Sequence, residues 1–181
     1  MGKQALFITG MPGSGKSTVC THLRSRGFEA HDLESLPDMF TMIDTRTGIA
    51  FQHFENDNPD DQQYAHWRCN IRPLVRLLSE QSTTTAFYCG IAANLEEICH
   101  LFNRNIVLQI SDENLRAHLK KREGTSKIGH SEAGRNMVLS WRPWWNETIH
   151  TLNPIYVDAN ADPDKTVDTL LTKIHISREN M

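Results

Sequence analysis

Several features that mark particular protein classes are missing from this sequence. No apolar run is long enough to span a bilayer, so we expect no membrane partner. The four cysteines form no Cys-x-x-Cys pair and the nine histidines lack metal-ligand spacing, so zinc and dithiol redox chemistry have no support. The formal charge is −3. A general nucleic-acid binder needs a surplus of Lys and Arg, so we expect no nucleic-acid partner either.

We also expect no secretory signal, because the apolar stretch 5–9 runs directly into a glycine-rich turn. Unpaired, reduced cysteines fit the cytoplasm. Of the 181 residues, 39% are hydrophobic and 23% are charged, as in soluble globular proteins. This length favours one domain, so we expect a cytoplasmic single domain over residues 1–181. The oligomeric state stays open.

Strand-like and helix-like segments alternate along the chain, which predicts a parallel sheet covered by helices. The predicted strands are 5–9, 28–32, 83–89, 106–110 and 155–158. Three longer predicted helices are 17–26, 61–81 with an interruption near Pro73, and 132–151. A short helix is opened by a capping box of Asn94 and Glu97. Two more helices begin near Asp112 and after Asp162. Residues 33–59 show no clear period, which is typical of a functional loop region. The polar stretch 123–130 predicts a mobile loop.

One motif carries specific chemical information. Residues 10–17 fit G-x-x-x-x-G-K-[ST] and lie between an apolar strand and a helix. The glycines let the backbone form a nest of inward N–H groups, and the helix adds its positive end. Lys16 then reaches the β- and γ-phosphates, and Ser17 holds Mg²⁺. The predicted ATP or GTP cradle comprises Gly10, Met11, Pro12, Gly13, Ser14, Gly15, Lys16, Ser17 and Thr18.

Two further absences narrow the class of nucleotide-binding protein. A GTPase needs an Asn-Lys-x-Asp segment for base specificity, and the sequence contains none. The candidate strand that ends at Cys89-Gly90 carries no carboxylate, which disfavours an ATPase that activates water. Phosphoryl transfer to another molecule is therefore the leading hypothesis.

The whole chain resembles the small P-loop kinases of the adenylate kinase and shikimate kinase group. The resemblance is carried by residues 7–10 entering the cradle, 27–32 ending in an acid, 118–122 before a polar loop, and 155–159 before Pro163. It implies a three-layer α/β fold, with helices on both faces of a five-stranded parallel sheet in order 2-3-1-4-5. It also implies a small lid at 123–135 and an acceptor-binding region at 33–82. The implied cofactors are ATP and Mg²⁺, and the implied acceptor is a nucleotide or another hydroxylated metabolite.

The resemblance also places a catalytic set around the cradle: Lys16, Asp32, Arg122 and Arg135. Asp32 could hold Mg²⁺ or accept the proton of the acceptor hydroxyl, with Glu34 as second choice. Arg122 matches the family position that enters the lid and reaches the phosphates. Arg135 and Arg142 are seven residues apart on one predicted helix, so they share a face and are candidates for phosphate contacts.

The base of the nucleotide has its own candidates. His118 stands where adenylate kinase-like members often have an arginine stacked on adenine, so the preference for ATP over GTP stays open. Asp158 and Ala159 are expected beside the base. Three tryptophans are expected to pack on the core, with a base-stacking platform as the alternative: Trp141, Trp144 and Trp145.

The residues that would bind the acceptor carry fewer sequence signals. Arg46, Arg68 and Arg72 lie in the acceptor region, and the last two could grip a carboxylate or phosphate. Gly90 could let an acceptor approach the third strand closely. An ATP-binding regulatory module without efficient transfer remains the alternative function.

Overall fold

The structure, a computed structural model, describes residues 2–175. In chain order the elements are β1 (Gln4–Thr9), α1 (Lys16–Ser25), β2 (Glu29–Asp32), β3 (Phe40–Asp44), β4 (Ile49–Ala50), α2 (Pro59–Tyr64), β5 (Ala65–Cys69), α3 (Ile71–Ser79), β6 (Thr85–Cys89), α4 (Leu95–Ile98), β7 (Arg104–Gln109), α5 (Asp112–Lys120), α6 (Glu132–Ser140), α7 (Arg142–His150), β8 (Ile155–Asp158) and α8 (Pro163–Lys173). Short 3₁₀ turns cover Leu33–Ser35 and Cys99–Leu101. None of the helices within residues 2–175 has the length and apolar character needed to cross a membrane.

The central sheet has five parallel strands in the order β2-β6-β1-β7-β8. Renumbered among themselves, these strands give 2-3-1-4-5, so the predicted order is confirmed. The alternation of side chains along β1 sorts residues to the two faces. Leu6 and Ile8 pack with α1 and α8, whereas Phe7 packs with α5 and α7. The predicted three-layer arrangement is therefore confirmed.

A second, antiparallel sheet in the order β4-β3-β5 lies outside the central one. It corrects two predictions: residues 33–59 are not wholly irregular, and 61–81 is not one interrupted helix. Asn58 caps α2, whose first residue is Pro59, and the chain then extends into β5. Pairing of β5 with distant β3 satisfies the backbone groups that a continuous helix would have satisfied locally.

The predicted capping box at Asn94 is wrong, although a short helix does begin there. The Asn94 side chain accepts from the Cys69 amide (2.9 Å) and donates to the Cys69 carbonyl (3.1 Å). The side-chain amide of Asn94 therefore bonds the backbone at the end of β5 and does not cap the helix. This pair of bonds joins the small sheet to the segment that follows β6.

The predicted helix 132–151 is two helices, α6 and α7, with Trp141 between them. Pro143 lies in the first turn of α7, where its missing N–H needs no partner. Arg135 and Arg142 are consequently on different helices and do not share a face, which corrects the prediction.

Candidate functional site

A cleft of about 1170 Å³ opens over the carboxyl ends of the central strands. Its surface includes residues 12–19 after β1, Asp32 at the end of β2, residues 91–93 after β6, and Ala159 after β8. In open parallel sheets, this end is where ligands bind. The cleft continues along a surface that we call the small-sheet wall, which consists of the lining residues Met42, Phe54, Asn56, Gln62, Gln63, Ala65, His66, Trp67, Ile91, Ala92 and Ala93.

The cradle has the backbone that a phosphate nest requires. Gly13 and Gly15 have φ values of +91° and +94°, which side-chain-bearing residues rarely adopt. A Cβ on Gly13 would also crowd Leu115 and Leu119 of α5, so glycine is needed there for packing as well. The Ser14 hydroxyl is buried and has no hydrogen-bond partner. It lies against Gly10, where a Cβ would overlap it, so the loop needs glycine at position 10 as well. A loop backbone of this shape suits an oxygen-rich anion such as a nucleotide phosphate.

Lys16 lies in the middle of the cradle with its side chain 7% exposed. Its Nζ donates to the carbonyls of Gly10 (2.9 Å) and Met11 (3.3 Å) and lies 3.7 Å from Glu34 Oε1. Burial lowers the pKa of Lys16, and the charge of Glu34 opposes that shift. The single carboxylate of Glu34 does not fully offset the cost of burying the Lys16 charge. The negative charge of a bound triphosphate would stabilise the ammonium further.

Two side chains from the end of α5 complete this region. His118 Nδ1 donates to the Gly13 carbonyl at 3.0 Å, so the ring supports the cradle from the side. Arg122 Nη1 donates to the Ile128 carbonyl at 2.8 Å, and burial lowers the pKa of its guanidinium. The charge of Arg122 also lowers the pKa of Lys16, and a bound anion would relieve this repulsion.

The oxygen donors expected for Mg²⁺ lie in the same cleft. Ser17 is exposed in the first turn of α1, and both Ser17 and Asp32 line the cavity. Among residues 2–175, no group of three or more His, Cys, Asp or Glu side chains is arranged to hold a metal ion. One or two protein oxygens are enough for Mg²⁺ in kinases, because phosphates and waters supply the rest. The residues present therefore fit a nucleotide-bound Mg²⁺.

Most predicted site residues come together around this cleft. Those that line it are Pro12, Gly13, Ser14, Gly15, Lys16, Ser17, Thr18, Asp32, His118, Arg122 and Ala159. Gly10 and Met11 lie beneath the cradle, where their carbonyls accept from Lys16. Asp158 does not line the cleft, because its carboxylate accepts from the Asn160 backbone (2.9 Å) and side chain (2.7 Å) and so shapes the turn.

Neither of the two lid-side arginines, Arg135 and Arg142, lines the cleft. Arg135 Nη1 donates to the His130 carbonyl (3.0 Å), and Nη2 lies 3.2 Å from Glu123 Oε1. Arg142 donates to Asp112 Oδ1 (2.6 Å) and to the Ile110 carbonyl (3.0 Å). Arg135 thus braces the two ends of the lid, residues 123–135, and Arg142 ties α7 to the start of α5.

Three arginines and a glycine expected on the acceptor side are placed away from the cavity. Arg46 pairs with Asp44, and Arg68 pairs with Glu97 (2.6 Å). Neither they nor exposed Arg72 line the cleft. The space beside Gly90 is filled by Leu33 and Phe40, so an acceptor does not approach there.

The sequence did not predict the residues that form the small-sheet wall. They include Gln63, Trp67 and Ile91. On the opposite side, Trp141 and Trp144 also line the cleft, and Trp144 is 47% exposed. Only Trp145 is fully in the core, so the expectation that all three tryptophans pack there is wrong for Trp144.

Comparisons with known proteins agree with this architecture. A family model described as an AAA domain matches residues 6–137. The crystal structure of TT1252 from Thermus thermophilus is 17% identical, with 97% of each chain covered and a TM-score of 0.61. Deoxyadenosine kinase from M. mycoides with bound dATP is 13% identical over 94% of this chain and 99% of that one, with a TM-score of 0.57.

Shikimate kinase from Bacteroides thetaiotaomicron is 15% identical over 95% of this chain and 98% of that one, with a TM-score of 0.53. No curated protein matches the sequence. These identities are too low to carry more than the fold, and the fold is that of small P-loop kinases.

Proposed function

The chain belongs to the family of AAA domains and has the fold of small P-loop kinases, and from that premise we propose that it is an ATP- and Mg²⁺-dependent phosphotransferase. The acceptor would be a small hydroxylated molecule. One observation carries the proposal: the phosphate cradle and the small-sheet wall line a single continuous cleft. A protein that only binds ATP has no need of a second ligand space that opens onto the terminal phosphate.

The residues present support in-line transfer. The acceptor oxygen attacks the γ-phosphorus, the bond to the β–γ bridging oxygen breaks with its electron pair, and ADP leaves. Asp32, with Glu34 as the neighbouring candidate, takes the hydroxyl proton. Lys16 and Arg122 stabilise the negative charge of the moving group. Bound through Ser17, and through Asp32 where Glu34 takes the proton instead, Mg²⁺ would neutralise phosphate charge and help to orient the triphosphate.

The lid has a role in the same proposal. Arg122 is tied to the lid carbonyl of Ile128, and Arg135 braces the lid ends. Docking of the lid would therefore bring Arg122 to the phosphates and exclude water, which otherwise competes as acceptor. Arg135 acts in this scheme as a positioning residue.

The test is a screen for ADP formed only in the presence of an acceptor, over nucleosides, nucleotides, shikimate and other hydroxylated metabolites. We expect turnover with at least one class, and a loss of at least about 100-fold in Lys16→Ala. Exposed Lys120, which does not line the cleft, supplies the matched control Lys120→Ala. Wild-type turnover by Lys16→Ala would refute the mechanism.

A regulatory module that binds ATP without transfer is the second candidate. It is favoured by the end of β6, where buried Cys89 stands in place of a carboxylate. It is also favoured by His118, which is engaged by the cradle. Tight ATP binding together with no turnover of any acceptor would support the module over the kinase.

A further inference from the structure

The small-sheet wall carries no Lys or Arg. Its lining residues include Met42, Phe54, Gln63, His66, Trp67 and Ile91, and over the described stretch 42–93 no Lys or Arg reaches the cavity surface. The cations that do line the cleft are Lys16, Lys121, Arg122 and Lys127. They belong to the cradle, the end of α5 and the lid, which serve the phosphates of the donor.

The arginines of this region are already paired with carboxylates. Arg46 Nε and Nη2 donate to the two oxygens of Asp44 (2.9 and 2.6 Å), and its guanidinium stacks 4.5 Å from the Tyr64 ring. Arg68 Nη2 donates to both oxygens of Glu97 (2.8 and 2.6 Å). Both guanidinium groups are thus engaged by carboxylates, and neither arginine lines the cleft.

Two carboxylates lie at the reacting end of the cleft, beside the cations Lys16 and Arg122. Asp32 and Glu34 both line it, between the cradle and the small-sheet wall. Glu34 is within 4 Å of Lys16, and Asp32 has no such ion pair among the described residues. An acceptor that brought its own phosphate or carboxylate would meet these two acids without a counter-ion on the wall.

The wall instead offers flat apolar surfaces and neutral polar groups. The ring of Trp67 stacks on Phe40, with centroids 4.9 Å apart and an angle of 6° between planes, so the indole is held rigidly. Exposed Trp144 faces the same cavity from α7. Rigid aromatic surfaces favour a planar ring, and the amide of Gln63 can both donate and accept hydrogen bonds.

We propose that the acceptor is an uncharged molecule with a planar ring and a free hydroxyl, the chemistry of a nucleoside, and not a nucleotide or a carboxylic acid. The inference rests on the proposed function and names the substrate class of the same site. It excludes nucleotides and acids such as shikimate because their phosphate or carboxylate would lie against a wall that has no Lys or Arg to neutralise it.

Calorimetry separates binding from turnover. With the donor site saturated by a non-hydrolysable ATP analogue, nucleosides and their 5′-monophosphates are titrated in parallel, followed by shikimate, gluconate and free ribose. We expect at least one nucleoside to bind on the order of 100-fold more tightly than its monophosphate, because the added charge is unpaired. Tighter binding of the monophosphate, of an acid or of ribose overturns the proposal, as does the absence of binding by any of them.

A charge-insertion variant gives a second readout. Gln63→Arg places a cation on the wall and should shift the preference toward the monophosphate by about tenfold or more. Gln4→Arg makes the same change at the opposite end of β1, away from the cleft, and should leave the preference unchanged. An equal shift in both variants would show a general charge effect and overturn the assignment of the wall.

The outcomes also separate this inference from the proposed function. Nucleoside binding without phosphorylation would refute the kinase and keep the assigned ligand class. Phosphorylation of monophosphates or acids only would keep the kinase and refute the assigned class.

Discussion

The carboxylate of Asp57 accepts a 2.6 Å hydrogen bond from the hydroxyl of Ser131, which joins the segment before α2 to the residue that caps α6. The same Asp57 oxygen accepts from the Ser131 amide (2.8 Å), and its other oxygen accepts from the Gly129 amide (2.8 Å). The Asp57 side chain is only 7% exposed. The lid is thus held against the region that carries the small-sheet wall through one buried carboxylate.

Weakening this carboxylate should loosen the lid. Both carboxylate oxygens of Asp57 accept hydrogen bonds, but the asparagine side chain in Asp57→Asn has only one acceptor oxygen. One backbone N–H of the lid therefore loses its acceptor or faces the N–H of the new amide. We expect hydrogen exchange of residues 123–131 to accelerate by roughly tenfold, with a rise in the KM for ATP and little change in global stability. Hydrogen exchange by mass spectrometry and steady-state kinetics measure these effects.

Asp60→Asn removes a carboxylate from an exposed neighbouring position and is the matched control. Gly134→Ala should reproduce Asp57→Asn, since a Cβ there would overlap the Asp57 carboxylate. Burial alone would raise the pKa of Asp57, but hydrogen bonds from Ser131 and Gly129 lower it. Lid docking should therefore hold above the ordinary aspartate pKa and weaken as the pH falls below it. Unchanged exchange in both variants would contradict the role of Asp57.

The geometry of Arg122 predicts that lysine cannot replace it. One nitrogen of its guanidinium donates to the Ile128 carbonyl, and Arg122 also lines the cleft. A lysine has a single ammonium, which cannot both bond this carbonyl and contact a phosphate in the same geometry. Arg122→Lys should lower kcat/KM for ATP on the order of 100-fold. Arg116→Lys, an exposed change on the same helix where Arg116 contacts Asn136, should have no such effect. Equal kinetics in the two variants would rule out a phosphate role for Arg122.

Local signals were enough to predict the position and backbone shape of the glycine-rich loop at residues 10–17. An apolar strand, glycines at required positive φ values and the lysine after them all lie within residues 5–17, so their geometry follows from neighbouring residues. The order of the central sheet came from family resemblance and is confirmed. The ring of His118 was expected near the base, and its bond to the Gly13 carbonyl depends on how α5 packs.

The structure of region 33–82 could not be predicted from local sequence, because strand pairing between distant residues determines it. Residues 65–69 follow a helical turn and show no strong strand period, yet they pair with β3 and bond to the Asn94 side chain. The pair Arg46–Asp44 is local and readable, but Arg68–Glu97 spans 29 residues. Which arginines were free to bind an acceptor therefore could not be decided before the fold was known.

The two acids at the reacting end should have separable effects. If Asp32 takes the hydroxyl proton, Asp32→Asn should lower kcat by about 10²-fold or more with little change in the KM for ATP. Glu34→Gln should act through Lys16 instead. Because Glu34 opposes the lowering of the Lys16 pKa by burial, its loss should lower that pKa further.

The measurable result for Glu34→Gln is a shift of the alkaline limb of kcat/KM for ATP to lower pH. Glu55→Gln, an exposed change in the same region, is the control. A loss of kcat of about 10²-fold in Glu34→Gln, with kcat retained in Asp32→Asn, would exchange the two roles.

Glu29, at the start of β2, offers a prediction about stability rather than activity. Its carboxylate is 13% exposed and accepts from the amides and hydroxyls of Ser82 and Thr83. Burial by itself would raise the pKa of Glu29, but these hydrogen bonds, with His31, lower it to about 2. A lowered folded-state pKa contributes stability above the unfolded value, and that contribution is lost as the pH falls toward 2.

Glu29→Gln should therefore reduce the free energy of unfolding at pH 7 by roughly 2 kcal/mol, while the difference from the wild type narrows between about pH 5 and pH 2. Urea unfolding at pH 7 and pH 3 measures both values. Glu113→Gln, at an exposed position in the first turn of α5, should show a small difference at either pH. Because Glu29 lies at the amino end of its strand, away from the cleft, ATP binding should not change. A difference of equal size at both pH values would mean that the shape of the side chain, and not its charge, holds β2 to the segment before β6.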